Sequence, residues 1–190
     1  MLDLRIQQHF IDSADLHYQL AESLAKPLDA AVQAVLASVT GGGRVFTLGS
    51  QAAALQARYL AHLLVAGFER ERPGLPALAL EAEGAAPAAV PLVRQLQALG
   101  QAGDVLFVIS AAAPEEALLA AVEAAHERDM TVIALTAALS SEWARRLRET
   151  DVHISVAHER VARVREVHHL ALHCLCDAID TQLLGEQEPL

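Results

Sequence analysis

The sequence predicts an α/β fold, a three-layer αβα sandwich with one five-stranded parallel sheet between helices and extra helices at the N-terminus. Three observations predict it. From residue 44 onward, short apolar runs of strand length alternate with stretches of helical periodicity, as in a parallel sheet covered on both faces. Apolar residues make up 53% of the chain and aromatics only 4%, a balance rich in Ala and Leu that suits helices packed on a sheet. The 190 residues carry no linker, tandem repeat or charge block, and are enough to bury one core without disulfides. A single domain over 1–190 is expected, with 1–40 as a helical segment and 41–190 as the sandwich.

Each element has its own signal. In the first forty residues Ile6, Phe10, Leu16, Leu20 and Leu24 recur near helical spacing, and Pro27 is expected to open a second helix that ends at Thr40. Gly41, Gly42 and Gly43 stop it. Strands are expected at Arg44 to Leu48, Ala77 to Leu80, Val105 to Ser110, Thr131 to Thr136 and Val152 to Val156. Helices are expected at about 51–66, 88–99, 115–128, 141–148 and 160–184. The Ala/Pro-rich piece from Ala82 to Pro91 reads as an ordered surface connection.

Charge and composition narrow the function. A formal net charge of −10 argues against nucleic acid or anionic membrane as a direct partner, though not against a protein that itself binds DNA. The two cysteines, Cys174 and Cys176, are two apart in a helical run and face different ways, so they read as buried reduced thiols. With no apolar stretch of membrane-spanning length, and Asp3 and Arg5 near the start, a cytoplasmic protein is expected.

In parallel α/β sheets ligands sit at the carboxyl ends of the strands. That points to Gly49 to Ala53, Ser110 to Glu116 and Thr136 to Ser141. A strand, a glycine turn and a helix N-terminus form a ready anion site, and GSQAAALQARYLAHLL, from Gly49 to Leu64, has that layout. Its loop is nearly bare of chemistry: Gly49, Ser50 and Gln51 are followed by alanines.

Four stretches, FERERPGLPALAL (Phe68 to Leu80), LGQAGDVLFVIS (Leu99 to Ser110), AAHERDMTVIALT (Ala124 to Thr136) and REVHHLALHCLCDAIDTQLLG (Arg165 to Gly185), carry a resemblance over essentially the whole chain. By these it resembles the SIS-domain (sugar isomerase) family, its phosphoheptose isomerase group, and within that the DnaA-initiator-associating branch. The resemblance implies a G-N-G-G-S loop after the first strand, where this chain has Gly49-Ser50-Gln51-Ala52-Ala53. It implies an S-T-S-G-N-S phosphate loop after the third, where Ser110-Ala111-Ala112-Ala113-Pro114-Glu115 stands. Pro114 removes an N–H donor, and Glu115 and Glu116 put carboxylates where a phosphate would sit. Zinc-using members draw a His and a Glu from the first-loop helix and a Gln and a His from the last helix. Those positions hold Tyr59, Leu63, Arg165 and His173, and the glutamate that would move the proton is Leu63. The chain is also shorter than the family pattern between Leu80 and Leu99, and Thr136-Ala137-Ala138-Leu139-Ser140-Ser141 replaces a glycine-rich turn.

The remaining candidates are weighed on spacing. His169, His173 and Asp177 share a helix face and can either hold a metal or form a polar or interface stripe, the reading preferred here. His168 reads as a structural hydrogen-bonding group, and His153 and His158 have no acid or cysteine at ligand spacing. Arg58, Arg163 and Arg165 either converge on an anion or salt-bridge to Glu115, Glu116 or Glu166. Ser110 has no base beside it and reads as a helix cap. Leu183 and Leu184 precede Gly185 and an acidic tail, either as core or oligomer contact or as a partner surface, since initiator-binding members carry an I-D-x-x-L-F element there.

The expectation is therefore a non-catalytic SIS-domain scaffold, resembling the DnaA-initiator-associating proteins in control of replication initiation. It needs no cofactor and has no catalytic residue beyond the residual His173. Ser50, Gln51 and Ser110 are its ligand-binding candidates for a weakly held sugar phosphate, and Leu183 and Leu184 its partner-binding candidates. A homodimer or homotetramer is expected. The alternatives are a phosphoheptose isomerase acting on sedoheptulose 7-phosphate, for which zinc would be needed, and a sugar-phosphate sensor.

Overall fold

A computed structural model describes residues 1–81, 89–113, 115–137 and 141–186, the side chain of Ser141 excepted. Most of the Ala82–Pro91 connection, Pro114 and the middle of the turn after the fourth strand lie outside these residues. The order of elements is α1 (Leu2–Thr40), β1 (Val45–Gly49), α2 (Ala53–Ala66), β2 (Ala77–Ala79), α3 (Ala89–Leu99), β3 (Val105–Ser110), α4 (Glu116–Glu127), β4 (Thr131–Ala137), α5 (Ser141–Arg146), β5 (Val152–Val156) and α6 (Val161–Leu184).

The five strands pair in parallel in the order β2-β1-β3-β4-β5. β3 and β4, the most apolar runs, occupy the middle and are buried almost throughout. Side chains alternate between two cores. Val45, Val105, Phe107, Ile109, Ile133 and Leu135 point to the face covered by α1, α2 and α6. Phe46, Leu48, Leu106, Val108, Val132 and Ala134 point to the face covered by α3, α4 and Trp143 of α5. This is the three-layer sandwich that alternating short apolar runs and helices imply.

One expectation is corrected: Pro27 does not begin a second helix but lies inside the single 39-residue α1. A proline within a helix loses one hydrogen bond and costs about 3 kcal/mol. Here Leu16 and Leu24 before it and Ala31, Val32 and Val35 after it bury against the same core, so packing on both sides carries the helix through. The extra N-terminal helices are thus one. Strand ends also move slightly: β1 starts at Val45 rather than Arg44 and includes Gly49, and β2 stops at Ala79. Cys176 is buried as expected, but Cys174 is exposed, because α6 turns that face away from the sheet.

Chain order reverses between β1 and β3, since the chain moves from β1 outward to β2 and returns to β3 on the other side. In sheets of this type a crevice opens at the carboxyl ends of such a strand pair. The β1–α2 and β3–α4 loops face one another across it.

Candidate functional site

Gly49 ends β1 in a position only glycine fits, because a Cβ there would come within 2.4 Å of the Ala53 carbonyl oxygen. The chain thus turns directly from β1 into α2, through Gln51 in the left-handed region at φ 49°. Thr47 pins the two elements together, its hydroxyl donating to the Ala57 carbonyl at 2.8 Å. Yet the N-terminus of α2 is not open to an anion. The N–H groups of Ala53, Ala54 and Leu55 donate to the carbonyls of Ser50, Gln51 and Ala52 at 2.9, 3.2 and 3.3 Å.

Across the crevice, Glu115 is the N-cap residue of α4 and Glu116 its first residue. The expected cap role of Ser110 therefore fails. It stands at the end of β3, well before the helix begins, and its buried hydroxyl donates to the Ala112 carbonyl at 3.2 Å. Glu115 instead accepts a hydrogen bond from the Gln51 amide at 2.9 Å, which joins the two loops. The niche bounded by Ser50, Gln51, Ala112, Glu115 and Arg165 has a volume of about 30 Å³. That holds a water or two and not a phosphate.

Beside it, a cleft of about 310 Å³ has an apolar wall of Leu48, Leu80, Leu92 and Leu118. Its rim carries Gln51, Arg58, Glu81 and Glu115. Arg58 pairs with Glu81 at 3.4 Å, not with Glu115 or Glu116, because α2 places it toward the end of β2. The rim thus carries two carboxylates and the Arg58 guanidinium, with Arg165 lining the niche beside Glu115.

Of the four positions where zinc would be held, Tyr59 and His173 meet between α2 and α6. Leu63 is buried at 6% exposure and offers hydrocarbon. Arg165 brings a permanent cation to the crevice, with its Nε buried and unpartnered. The Tyr59 hydroxyl and His173 Nε2 are 2.9 Å apart and hydrogen-bonded to each other. Tyr59 stacks on His169 with ring centroids 5.0 Å apart, and Phe68 packs on His173 at 5.1 Å. These residues do not fit a zinc ion: one position has no donor, one repels the ion, and the histidine nitrogen is already bonded. Among the described residues, no three His, Cys, Asp or Glu side chains gather as a metal site. His169 and His173 are neighbours with centroids 4.6 Å apart, while Asp177 stays exposed. Burial, and then the nearby His173, hold the His169 imidazole below its usual value.

The other candidates fall elsewhere. Arg163 is buried and pairs with Glu166, as one of the two readings had it, and also donates to His9 Nδ1 at 2.6 Å. Burial pushes the Glu166 carboxyl up, but the hydroxyl of Ser13 and the guanidinium of Arg163 outweigh it and hold the group below the usual carboxylate range. His168 is fully buried, and neither ring nitrogen makes a hydrogen bond of ordinary geometry. What stands for the structural hydrogen bond expected of it is its approach to the Thr136 backbone carbonyl. Burial lowers its pKa from 6.5 to about 4, and the nearby Thr136 carbonyl offsets only part of this. His153 is bonded to Thr136 Oγ1 at 2.8 Å, and burial lowers its pKa. His158 Nδ1 accepts from the Arg160 N–H at 3.0 Å. Leu183 and Leu184 end α6 at 39% and 41% exposure.

Two features escaped the sequence. The Tyr59–His173 bond spans 114 positions, and no local pattern announces it. The ion pair of Arg72 with Asp180, 2.5 Å apart and 1% exposed on both sides, had a signal in an acid set among apolar residues of the last helix.

The SIS domain family model matches residues 8–137, and the chain belongs to that family. A protein of Methylibium petroleiphilum named phosphoheptose isomerase is 52% identical over 196 residues, 99% of this chain and 98% of the relative. A protein of Yersinia pseudotuberculosis named DnaA initiator-associating protein is 38% identical over 192 residues, 97% of this chain and 98% of the relative. The phosphoheptose isomerase structure from Neisseria gonorrhoeae superposes with a TM-score of 0.84 at 33% identity, over 95% of this chain and all of that one. Relatives bearing both names thus match nearly end to end. Among the described residues no helix is long and apolar enough to cross a membrane.

Proposed function

We propose that this protein is a non-catalytic member of the SIS-domain family that acts as a protein-binding scaffold, in the manner of the DnaA-initiator-associating proteins. The observation that carries the reading is the α2–α6 site. Where the isomerase resemblance calls for a glutamate to move a proton between adjacent carbons stands the buried Leu63, and a hydrocarbon is no base. His173, the one donor kept, is bonded to Tyr59. The Glu81 and Glu115 carboxylates oppose a phosphate in the cleft, so Ser50 and Gln51 at its edge hold a sugar phosphate only weakly, and the buried Ser110 hydroxyl, bonded to Ala112, takes no part. No cofactor is needed.

A scaffold works without chemistry if it presents several copies of one surface, since tethered partners acquire a high effective concentration for one another. Leu183 and Leu184, partly exposed at the end of α6, are the surface assigned to the replication initiator. The protein works as a homodimer or homotetramer in the cytoplasm. The second reading, an isomerase of sedoheptulose 7-phosphate, is favoured by the 52% identity with a protein of that name.

Turnover decides between them. Purified protein shows no isomerisation of sedoheptulose 7-phosphate, with or without added zinc, and captures the initiator of its own organism at micromolar concentration. Turnover abolished by His173→Ala establishes the isomerase instead. Failure to capture the initiator by a normally assembled protein removes the scaffold role.

A further inference from the structure

We infer that the Tyr59–His173 hydrogen bond does in this chain the mechanical work of a metal ion, joining α2 to α6 and closing the site to divalent cations. The side chains come from helices far apart in sequence, and their 2.9 Å contact is one of few polar links between them. A second link, from the Gln56 amide to the Arg165 carbonyl at 2.9 Å, lies about a turn nearer the start of α2. Between them the helices are held from two points, as a metal with ligands on both would hold them.

Both the present contact and the chemistry of the site oppose the ion. Two ligand atoms bound to one tetrahedral zinc at ~2.0–2.1 Å sit roughly 3.3–3.4 Å apart, well beyond the observed contact. A zinc would have to open the pair, take the proton from the Tyr59 hydroxyl and bind the nitrogen now engaged with it. The rings resist opening. Tyr59 lies nearly parallel on His169, with an interplanar angle of 16°, and Phe68 covers His173. The remaining positions supply nothing to offset that cost, since Leu63 has no donor and Arg165 is a cation.

The inference concerns the same site as the proposed function, but it is read by metal content and thermal stability rather than by turnover or partner capture, so either fails without the other. Purified full-length protein, equilibrated with micromolar zinc and desalted, carries no zinc that depends on His173. Tyr59→Phe keeps the ring and removes the hydroxyl, and its Tm falls by roughly 2–4 °C, with no recovery when zinc is added. Tyr59→His combined with Leu63→Glu and Arg165→Gln replaces the tie by donors, takes up one zinc per chain and gains Tm with it. A zinc in the unmodified protein that is lost in His173→Ala overturns the inference. So does a Tyr59→Phe protein as stable as the parent. If the triple variant does not fold, these two measurements still decide.

Discussion

Two sets of polar contacts flank α2, one from Arg72 to Asp180 of α6 and one at the crevice, and they differ in what they hold. Arg72 and Asp180 are both nearly inaccessible, and the guanidinium also donates to the carbonyls of Leu64 and Leu63 at 2.8 and 3.2 Å, tying the segment before β2 to the end of α2 and to α6. At the crevice, by contrast, Gln51 with Glu115 and Arg58 with Glu81 are exposed pairs that tie only loop to loop or rim to rim. Charge removed from water is costly to leave unpaired, and charge at a wet rim is cheap to change. The difference teaches that the crevice rim can change its charges without the fold noticing, whereas the buried ion pair cannot be altered singly.

The largest expected effect tests that contrast directly. Arg72→Ala leaves the Asp180 carboxylate buried without its cation and should cost about 3–5 kcal/mol, read from the urea midpoint. Arg58→Ala under the same conditions should stay within about 0.5 kcal/mol. Equal losses would break the comparison.

Acid provides the next largest effect. Because the folded pKa of His168, about 4, lies below its ordinary 6.5, the unfolded chain binds a proton in that interval that the folded chain refuses. The stability tied to this residue is therefore complete above about pH 6.5 and is lost as pH falls toward 4, up to about 3 kcal/mol. Urea unfolding at several pH values should show the slope, and His168→Leu should flatten it. An unchanged slope would show that the paired carboxylates account for all of it.

A smaller change is expected at the end of α6. Leu183→Ala with Leu184→Ala removes two partly exposed side chains and should cost about 1–2 kcal/mol in the isolated chain. Light scattering then sharpens the reading, because an intact assembly that no longer captures the initiator marks a partner surface, and dissociation marks an oligomer contact. Smallest in stability is Glu115→Ser with Glu116→Asn. It should shift unfolding by less than about 1 kcal/mol while improving phosphosugar binding in calorimetry. Tight binding by the unmodified protein would show that carboxylate repulsion does not govern the crevice.

What the sequence determined by itself was whatever depends on local order. Alternating short apolar runs placed all five strands to within a residue or two, and the same periodicity placed the helices, because side-chain period and burial are properties of neighbouring residues. It also fixed the side-chain chemistry at each position, since no fold can make a base of Leu63. Only the tertiary structure decided which groups meet. The continuity of α1 through Pro27 depends on a core assembled from β5 and α6, and the exposure of Cys174 on which way α6 faces. The partners of Gln51, Arg58, Tyr59 and Asp180 come from 64, 23, 114 and 108 positions away. Such contacts arise where the fold lays distant segments side by side, and a hydrogen bond or ion pair formed there leaves no periodic trace in the sequence.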